Sequence, residues 1–141
     1  MKASENQCRL AEVRQRRKAT PVKHFQPDDR HTVTPRIITP KPEEMVRFVK
    51  KVFRGQGEFH VKRPSEIRIG DSLIMISDGD GLREPTPAFL YVYVENVDET
   101  YQRAVEAGAE TLELPSDQPY GDRRAMVKDP WGTLWQIASH L

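Results

Sequence analysis

Aromatic and polar side chains suited to holding a small organic molecule are concentrated in the second half of this 141-residue chain. Aromatic rings bind flat or cationic groups by stacking and by cation–π attraction. Guanidinium, carboxylate and amide groups fix the orientation of such a ligand. The alternative is that about half of these rings fill the hydrophobic core, where we expect Phe89. The candidate ligand-binding residues are Glu66, Tyr91, Tyr120, Arg123, Trp135 and Gln136.

The charged candidates each have a second interpretation. Arg123 and Arg124 are consecutive in a predicted strand, so one faces the site and the other faces solvent. An inward guanidinium would select a carboxylate or phosphonate group, and Asp122 either orients that arginine or caps the preceding turn. Glu66 begins a predicted strand, where it either points into the site or stays solvated. No catalytic residue is assigned.

These residues belong to elements that occur twice in the chain. Each half has a β-prone run, a helix and then strands joined by a Gly-containing turn, which is the order of a βαβββ unit. Because one such unit leaves a sheet face uncovered, two units enclose a cleft, and clefts bind small molecules. The repeated runs are residues 32–38 and 88–94, the helices 42–55 and 96–109, and the final strand pairs 66–77 and 124–138.

The two predicted helices have clear signals. The first begins at Pro42, which suits a first helical turn, and is expected to end at Gly55. Either Asn96 or Asp98 is expected to cap the second helix, and Glu99 stands three residues after Asn96 as a capping-box partner. An apolar stripe at helical spacing predicts that one face of the first helix is buried. The stripe consists of Met45, Phe48, Val49, Val52 and Phe53.

The boundaries between the repeats are less regular. Residues 56–65 should supply a strand, but the segment is short, charged and broken by Pro64, so the second strand of the first module is expected to be shortened. Glycines and acidic residues in 79–87 predict a flexible linker. The predicted organisation is therefore an arm over residues 1–31, a first module over 32–78, the linker over 79–87, and a second module over 88–141.

Several motifs resemble those of the vicinal oxygen chelate superfamily, which contains glyoxalase I, bleomycin-resistance proteins and extradiol dioxygenases. The nearest resemblance is to its PhnB-like branch, and it covers about residues 28–141. The motifs are HTVTP at 31–35, EIRIGDS at 66–72, YVENVD at 93–98, AVEAGA at 104–109, YGDR at 120–123 and DPWGTLWQIASH at 129–140. The resemblance implies an α+β fold in which two βαβββ modules form a cupped, barrel-like mixed sheet, commonly in a homodimer.

The resemblance also implies a divalent metal in the cup of many members, held by the first and last strands of each module. Matching the two repeats assigns these positions to Thr34, Met75, Phe89 and Gln136, and only Gln136 is a suitable ligand. We therefore expect no cofactor and a glyoxalase/bleomycin-resistance-like protein that binds a small organic ligand, either to sequester it or to act on it in an unknown reaction.

A rearranged metal site is the alternative. It would use His60, Glu66 and Gln136 in a metal-dependent lyase, isomerase or dioxygenase. Pro64 stands where the PhnB-like pattern often has a histidine, and His60 lies four residues earlier. We expect His60 in a partly exposed loop, and His31 and His140 as surface residues at the module ends.

Composition excludes some other classes of protein. No apolar run approaches the roughly 18 residues of a membrane span, and a single cysteine, Cys8, fits a reducing, cytoplasmic environment. Residues 1–31 carry eight Lys or Arg against four acids, although the net charge of the chain is only +1. This basic arm is expected to be disordered, and a nucleic-acid accessory role is a less favoured hypothesis because the arm lacks interleaved aromatic residues.

Overall fold

A computed structural model describes residues 25–141. The chain divides into two units, residues Met1–Thr32 and Val33–Leu141. In the first unit, residues 25–32 form turns, and the Gln26 side-chain amide donates a hydrogen bond to the Arg30 carbonyl at 2.7 Å. The arm predicted from the sequence lies largely outside the described residues. The second unit contains all the helices and strands described below.

The first module forms a three-stranded sheet covered by one helix. Its elements are β1 (Arg36–Ile38), α1 (Pro42–Phe53), β2 (Ser65–Ile69) and β3 (Ser72–Ser77). The strand order is β1-β3-β2, with β1 parallel and β2 antiparallel to the central β3. Strand β1 begins only after Pro35, because proline lacks the N–H that a sheet ladder needs. The predicted strand over 32–38 is therefore shortened at its start.

Helix α1 buries the apolar stripe that its sequence predicted. Met45, Phe48, Val49, Val52 and Phe53 are all buried, and Val46 joins them. The helix ends at Phe53, two residues before the expected end, and Arg54 follows it in the left-handed conformation, with φ of 57°. Gly55 is needed for a different reason. A Cβ atom at this position would lie 2.7 Å from a methyl carbon of Ile67, so the chain passes too close to β2 for any side chain.

The segment after α1 does not form the fourth strand of the module. Residues 56–64 make only one isolated bridge, in which Gln56 and Arg68 exchange two backbone hydrogen bonds of 2.8 Å. Gly57 then takes a φ of 139°, and a Cβ atom there would lie 2.3 Å from the carbonyl oxygen of Glu66. This close approach turns the chain out of the ladder, so the first sheet has three strands and the second has four.

The second module keeps the complete βαβββ plan. Its elements are β4 (Phe89–Tyr93), α2 (Val97–Glu106), β5 (Glu110–Asp117), β6 (Asp122–Lys128) and β7 (Leu134–His140). The strand order is β4-β7-β6-β5, and only the β4–β7 pair is parallel. Of the two predicted caps, Asn96 is the one that caps α2, since its side-chain oxygen accepts a hydrogen bond from the Glu99 N–H at 3.1 Å.

The connection between the modules is more ordered than the sequence predicted. Asp78 accepts a hydrogen bond from the Asp80 N–H at 2.9 Å and begins a short 3-10 turn, Gly79–Gly81. Thr86 then forms a bridge with Ile38 in β1. The predicted linker is therefore hydrogen-bonded to strand β1 of the first sheet near the linker's own C-terminal end. Among the described residues, no helix is long and apolar enough to cross a membrane.

The core lies where the helices meet the inner faces of the sheets. Trp135 of β7 is fully buried, and its ring lies 4.7 Å from that of Phe53 in α1. The two helices also contact each other, and the Arg103 guanidinium donates two hydrogen bonds to the Val52 carbonyl, at 3.1 and 2.9 Å. The two sheets are cupped but not closed into a barrel, which confirms the predicted α+β class. The opposite face of each sheet is therefore left open.

Candidate functional site

Strand β4 displays three aromatic rings on the open face of the second sheet. Its residues alternate between the two faces, so Leu90 and Val92 pack against the core. Phe89 is 61% exposed and Tyr93 is 65% exposed, with Tyr91 partly exposed between them. The prediction that Phe89 belongs to the core was therefore wrong. The rings of Tyr91 and Tyr93 lie 5.3 Å apart and are inclined at 62°, so they form a continuous aromatic surface.

A buried carboxylate joins this surface to the end of β7. Asp122, at the start of β6, is only 4% exposed. It accepts hydrogen bonds from the Tyr91 hydroxyl at 2.6 Å and from the Tyr93 hydroxyl at 3.3 Å, both at Oδ2. Its other oxygen, Oδ1, lies 2.9 Å from Nδ1 of His140. The residues come together because β6 pairs with β7 and places Asp122 directly opposite His140.

The hydrogen bonds to Asp122 determine its charge and that of its neighbours. The Tyr91 hydroxyl, followed by His140, holds the pKa of the Asp122 carboxyl below its usual value. Desolvation, together with the hydrogen bond to Asp122, raises the pKa of Tyr91, and the same two causes act on Tyr93. The carboxylate is therefore ionised at neutral pH, while both phenols keep their protons.

An ionised Asp122 also fixes the form of His140. A carboxylate can only accept hydrogen bonds, so the proton between the two groups belongs to Nδ1 of His140. In the neutral imidazole, Nε2 is then left with its lone pair. The His140 side chain is 76% exposed, and no described residue bonds Nε2. His140 was expected to be an ordinary surface residue, but the structure joins it to the aromatic face through Asp122.

The open face also contains an arginine whose charge is already compensated. Arg124 in β6 donates a hydrogen bond of 2.6 Å to the Glu113 carboxylate in β5 and one of 2.9 Å to the Tyr120 hydroxyl. The Tyr120 hydroxyl in turn lies 3.3 Å from that of Tyr91. Tyr120, in the loop before β6, is therefore connected to both the arginine and the aromatic rings. Gln136 lies on the same face, directly across the β4–β7 ladder from Tyr91.

Arg123 does not share this face with Tyr91. It points to the helix side of the sheet, where its guanidinium donates two hydrogen bonds of 2.9 Å to the Asp98 carboxylate at the start of α2. A third bond, of 3.0 Å, reaches Asp117. These carboxylates raise the pKa of the Arg123 guanidinium, which fastens α2 to β5 and β6. Of the two consecutive arginines, Arg124 is the one on the open face.

Trp135 is also on the helix side, where it is part of the core. Its indole N–H donates a hydrogen bond of 2.9 Å to Asp129, which is itself buried. Asp129 further accepts the backbone N–H groups of Trp131 and Thr133, at 3.0 and 2.9 Å. Burial raises the pKa of Asp129, and these donors oppose that shift. The DPWG segment thus supports the turn between β6 and β7 and does not line the aromatic face.

The first module presents a different surface. Glu66 lies on the open face of its sheet, opposite Met75. His60, in the segment that replaces the missing strand, is 3.1 Å from the Arg63 guanidinium through Nε2. A cavity of about 120 Å³ lies beside this segment. Its basic lining residues are Arg36, His60, Lys62, Arg63 and Arg83.

Residues 22–137 match the family model of the Glyoxalase/Bleomycin resistance protein/Dioxygenase superfamily. The chain belongs to this superfamily. Solved structures share its fold. TioX from Micromonospora sp. ML1 is 24% identical, with a TM-score of 0.66 over 79% of this chain and 99% of that one. A family enzyme from Burkholderia phytofirmans PsJN is 20% identical, with a TM-score of 0.65 over 77% of this chain and 97% of that one.

Curated relatives of this superfamily member come from mycobacteria. An uncharacterized protein of Mycobacterium tuberculosis H37Rv is 27% identical in an alignment of 122 residues, which covers 74% of this chain and 72% of the relative. An uncharacterized protein of Mycobacterium bovis has the same identity, over 74% of this chain and 80% of the relative. These similarities extend over both modules and name no ligand.

The metal that the superfamily resemblance implies does not fit the residues present. Of the four positions matched to metal ligands, Phe89 presents a hydrocarbon ring and Met75 a thioether, neither of which suits a hard divalent cation. Within residues 25–141, no three His, Cys, Asp or Glu side chains converge closely enough to hold an ion. In the rearranged alternative, Nε2 of His60 lies 3.1 Å from the Arg63 guanidinium.

Sequence reasoning selected some residues of this candidate site and missed the pair at its centre. It selected Tyr91, Tyr120 and Gln136, which share the open face. It gave Asp122 only a role beside an arginine or in a turn, and it assigned none to His140. The only sequence signal for this pair was that both residues fall within the superfamily motifs at 120–123 and 129–140. Their contact depends on the β6–β7 register, which spacing alone does not specify.

Proposed function

We propose that this protein binds a planar organic ligand on the aromatic face of its second module, without the metal quartet of other superfamily members. The exposure of Phe89, Tyr91 and Tyr93 on one strand carries the proposal. Exposed rings held 5.3 Å apart by a sheet form a rigid stacking platform, so little side-chain entropy is lost on binding. The YGDR and DPWG motifs support placement in the PhnB-like branch.

The charges around the platform favour a cationic ligand. Asp122 is an anion that accepts hydrogen bonds from the hydroxyls of Tyr91 and Tyr93, and the faces of aromatic rings attract cations. Arg124 does not reverse this field, because Glu113 pairs with it at 2.6 Å. A ligand with a flat ring system and a positive charge matches both features. Gln136 and Tyr120 would supply hydrogen bonds at the margin of the ring.

A second copy of the chain is the partner that we propose for the open faces. Within one chain, the contacts between the modules run through α1, α2 and Trp135, so they leave the aromatic face of β4 uncovered. A homodimer would bring a second sheet over the ligand and exclude water from it. Sedimentation equilibrium tests this part directly, since a dimer has twice the chain mass of 16.3 kDa.

Dye binding separates the proposal from its rivals. We expect the chelator-treated protein to bind proflavine, a planar cation, more tightly than anthracene-9-carboxylate, a planar anion of similar size. Tyr93→Ala should weaken proflavine binding, whereas Met75→Ala, on the open face of the first module, should not. Equal affinity for both dyes would contradict the charge argument. Binding that needs stoichiometric zinc, nickel, manganese or iron would instead favour the metal-dependent enzyme.

A further inference from the structure

Asp122 and His140 are arranged as a hydrogen-bonded acid–base pair at the edge of the aromatic face. The buried carboxylate holds Nδ1 of His140 at 2.9 Å, and the two tyrosine hydroxyls hold the carboxylate in turn. Tyr93 and His140 line the same open recess at the end of β4 and β7, with Glu95 at its margin. A ring stacked on Tyr93 would therefore lie beside the imidazole.

We propose that His140 is a catalytic general base that removes a proton from a planar ligand bound on the aromatic face, and that Asp122 is the residue that positions it. This inference rests on the proposed function, because the substrate must first bind there. The substrate class is a flat conjugated compound with an acidic C–H group. The reaction requires no metal, since the base, its orienting carboxylate and the platform all come from the chain.

The proton transfer has a defined course. Nε2 of His140 takes the proton from carbon with its lone pair, and the electrons of the broken C–H bond remain on the substrate. The resulting imidazolium keeps its Nδ1–H bonded to the Asp122 carboxylate, whose negative charge stabilises it. The proton then passes from Nε2 to water or returns to another atom of the substrate. A carboxylate that is buried and held by two phenols cannot rotate away, so the imidazole stays oriented.

A simple C–H acid tests the step. In 5-nitrobenzisoxazole, removal of the C3 proton breaks the ring N–O bond and yields a cyanophenolate, which is followed by its absorbance. We expect wild-type protein to accelerate this elimination beyond an equal concentration of free imidazole. His140→Gln should lower kcat/KM by about 100-fold, within the usual range for loss of a general base. His60→Gln is the matched control, because its ring contacts Arg63, and it should keep the wild-type rate.

Three further measurements distinguish a general base from a structural histidine. Free imidazole should restore part of the rate of His140→Gly. Asp122→Asn removes the carboxylate that orients the imidazole and should lower kcat by about 10-fold, with a smaller change in the KM of this uncharged substrate. Long-range proton–nitrogen NMR correlations should show His140 protonated at Nδ1 in the wild type, and the other tautomer would overturn the proposal.

Binding of proflavine keeps the two proposals apart. If wild type binds proflavine but the elimination is no faster than with free imidazole, the acid–base pair is overturned and the binding function stands. The same conclusion follows if His140→Gln keeps the wild-type rate. If proflavine does not bind at all, the proposed function fails, and the proton transfer fails with it.

Discussion

The two modules share one chain plan, but their open sheet faces differ. In the second module, β4 presents Phe89, Tyr91 and Tyr93, and the hydroxyls of both tyrosines meet Asp122. In the first module, the equivalent sheet presents Glu66 and Met75, and the segment beside it is basic. The helix-facing sides of both sheets are apolar and buried. The repeat thus preserves the scaffold, while the features suited to ligand binding occur in one half.

The loss of a strand accompanies this difference. Residues 56–64 leave the first sheet with three strands, whereas the second keeps four. In the second module, the extra strand β5 supplies Glu113, which pairs with Arg124 and compensates its charge. The complete sheet can therefore hold a polar network around its aromatic rings.

The largest effect on stability is expected at the turn that joins the last two strands of the second module. Asp129→Ala removes the acceptor for the Trp135 indole and for two backbone N–H groups, all within the core. We expect the free energy of unfolding to fall by about 3 kcal/mol in urea denaturation, because buried donors are left unsatisfied.

The corresponding turn of the first module provides the control. Asp71 is exposed, and within the described part of the chain only the Ser72 hydroxyl donates to it, at 3.1 Å. Asp71→Ala should therefore change the free energy of unfolding by less than about 0.5 kcal/mol. Similar losses of unfolding free energy for the two variants would mean that the two turns contribute equally to stability, which would contradict the expected difference between the modules.

A substitution on the aromatic face of the second module should weaken ligand binding about tenfold, whereas one on the open face of the first module should not. Tyr93→Ala removes half of the paired tyrosine surface, and loss of one stacking partner is worth about 1.4 kcal/mol or less. The dissociation constant for proflavine, measured by fluorescence titration, should rise by about 10-fold. Met75→Ala removes an exposed-face side chain of the first module and should leave the constant unchanged. A larger rise for Met75→Ala than for Tyr93→Ala would place the ligand on the first module and contradict the proposal.

The ionisation of Tyr91 and Tyr93 should depend on the Asp122 carboxylate that their hydroxyls contact. Desolvation and Asp122 raise the pKa of Tyr91 and Tyr93, so their absorbance change at 295 nm should be delayed in an alkaline titration. In Asp122→Asn the negative charge is lost, so part of this change should move to lower pH. Asp117→Asn, whose carboxylate contacts Arg123 and not these tyrosines, should leave the curve as in the wild type. A curve unaffected by Asp122→Asn would contradict the network.

Acid should reduce the contribution of Asp122 to the free energy of unfolding, and this is the smallest of the expected effects. Because the folded-state pKa of Asp122 is lowered, its ionised form stabilises the fold above the unfolded pKa of about 3.9. This contribution is lost as the pH falls through the lower, folded-state pKa. The difference in unfolding free energy between wild type and Asp122→Asn should therefore be constant near neutral pH and shrink below about pH 4. A difference that grows in acid would contradict the direction of the shift.

Periodicity and turn residues were sufficient to predict the scaffold. The stripe from Met45 to Phe53 predicted the buried face of α1, and the repeated plan predicted two modules of the α+β class. The site was harder to predict, because strand residues alternate and a single position decides which face a side chain occupies. Arg123 and Trp135 matched superfamily motifs but face the helices, while Phe89 looked like core and is exposed.

The Asp122–His140 contact shows what the sequence could not supply. The two residues lie 18 positions apart and meet only because β6 and β7 pair in one register. The tyrosines that bond Asp122 come from a third strand, β4, which is the first strand of the module in sequence and lies at the edge of the sheet beside β7. Pairings of this kind arise from tertiary structure, so no local pattern could predict them.

An NMR titration with proflavine tests most directly the claim that the ligand binds on the aromatic face of the second module. Amide shifts of the described residues would be followed in the chelator-treated protein as the dye is added. The account predicts that the largest changes occur in β4 and at the Asp122 and His140 ends of β6 and β7. Changes centred on β1, β2 and β3, with the β4 amides unmoved, would contradict it.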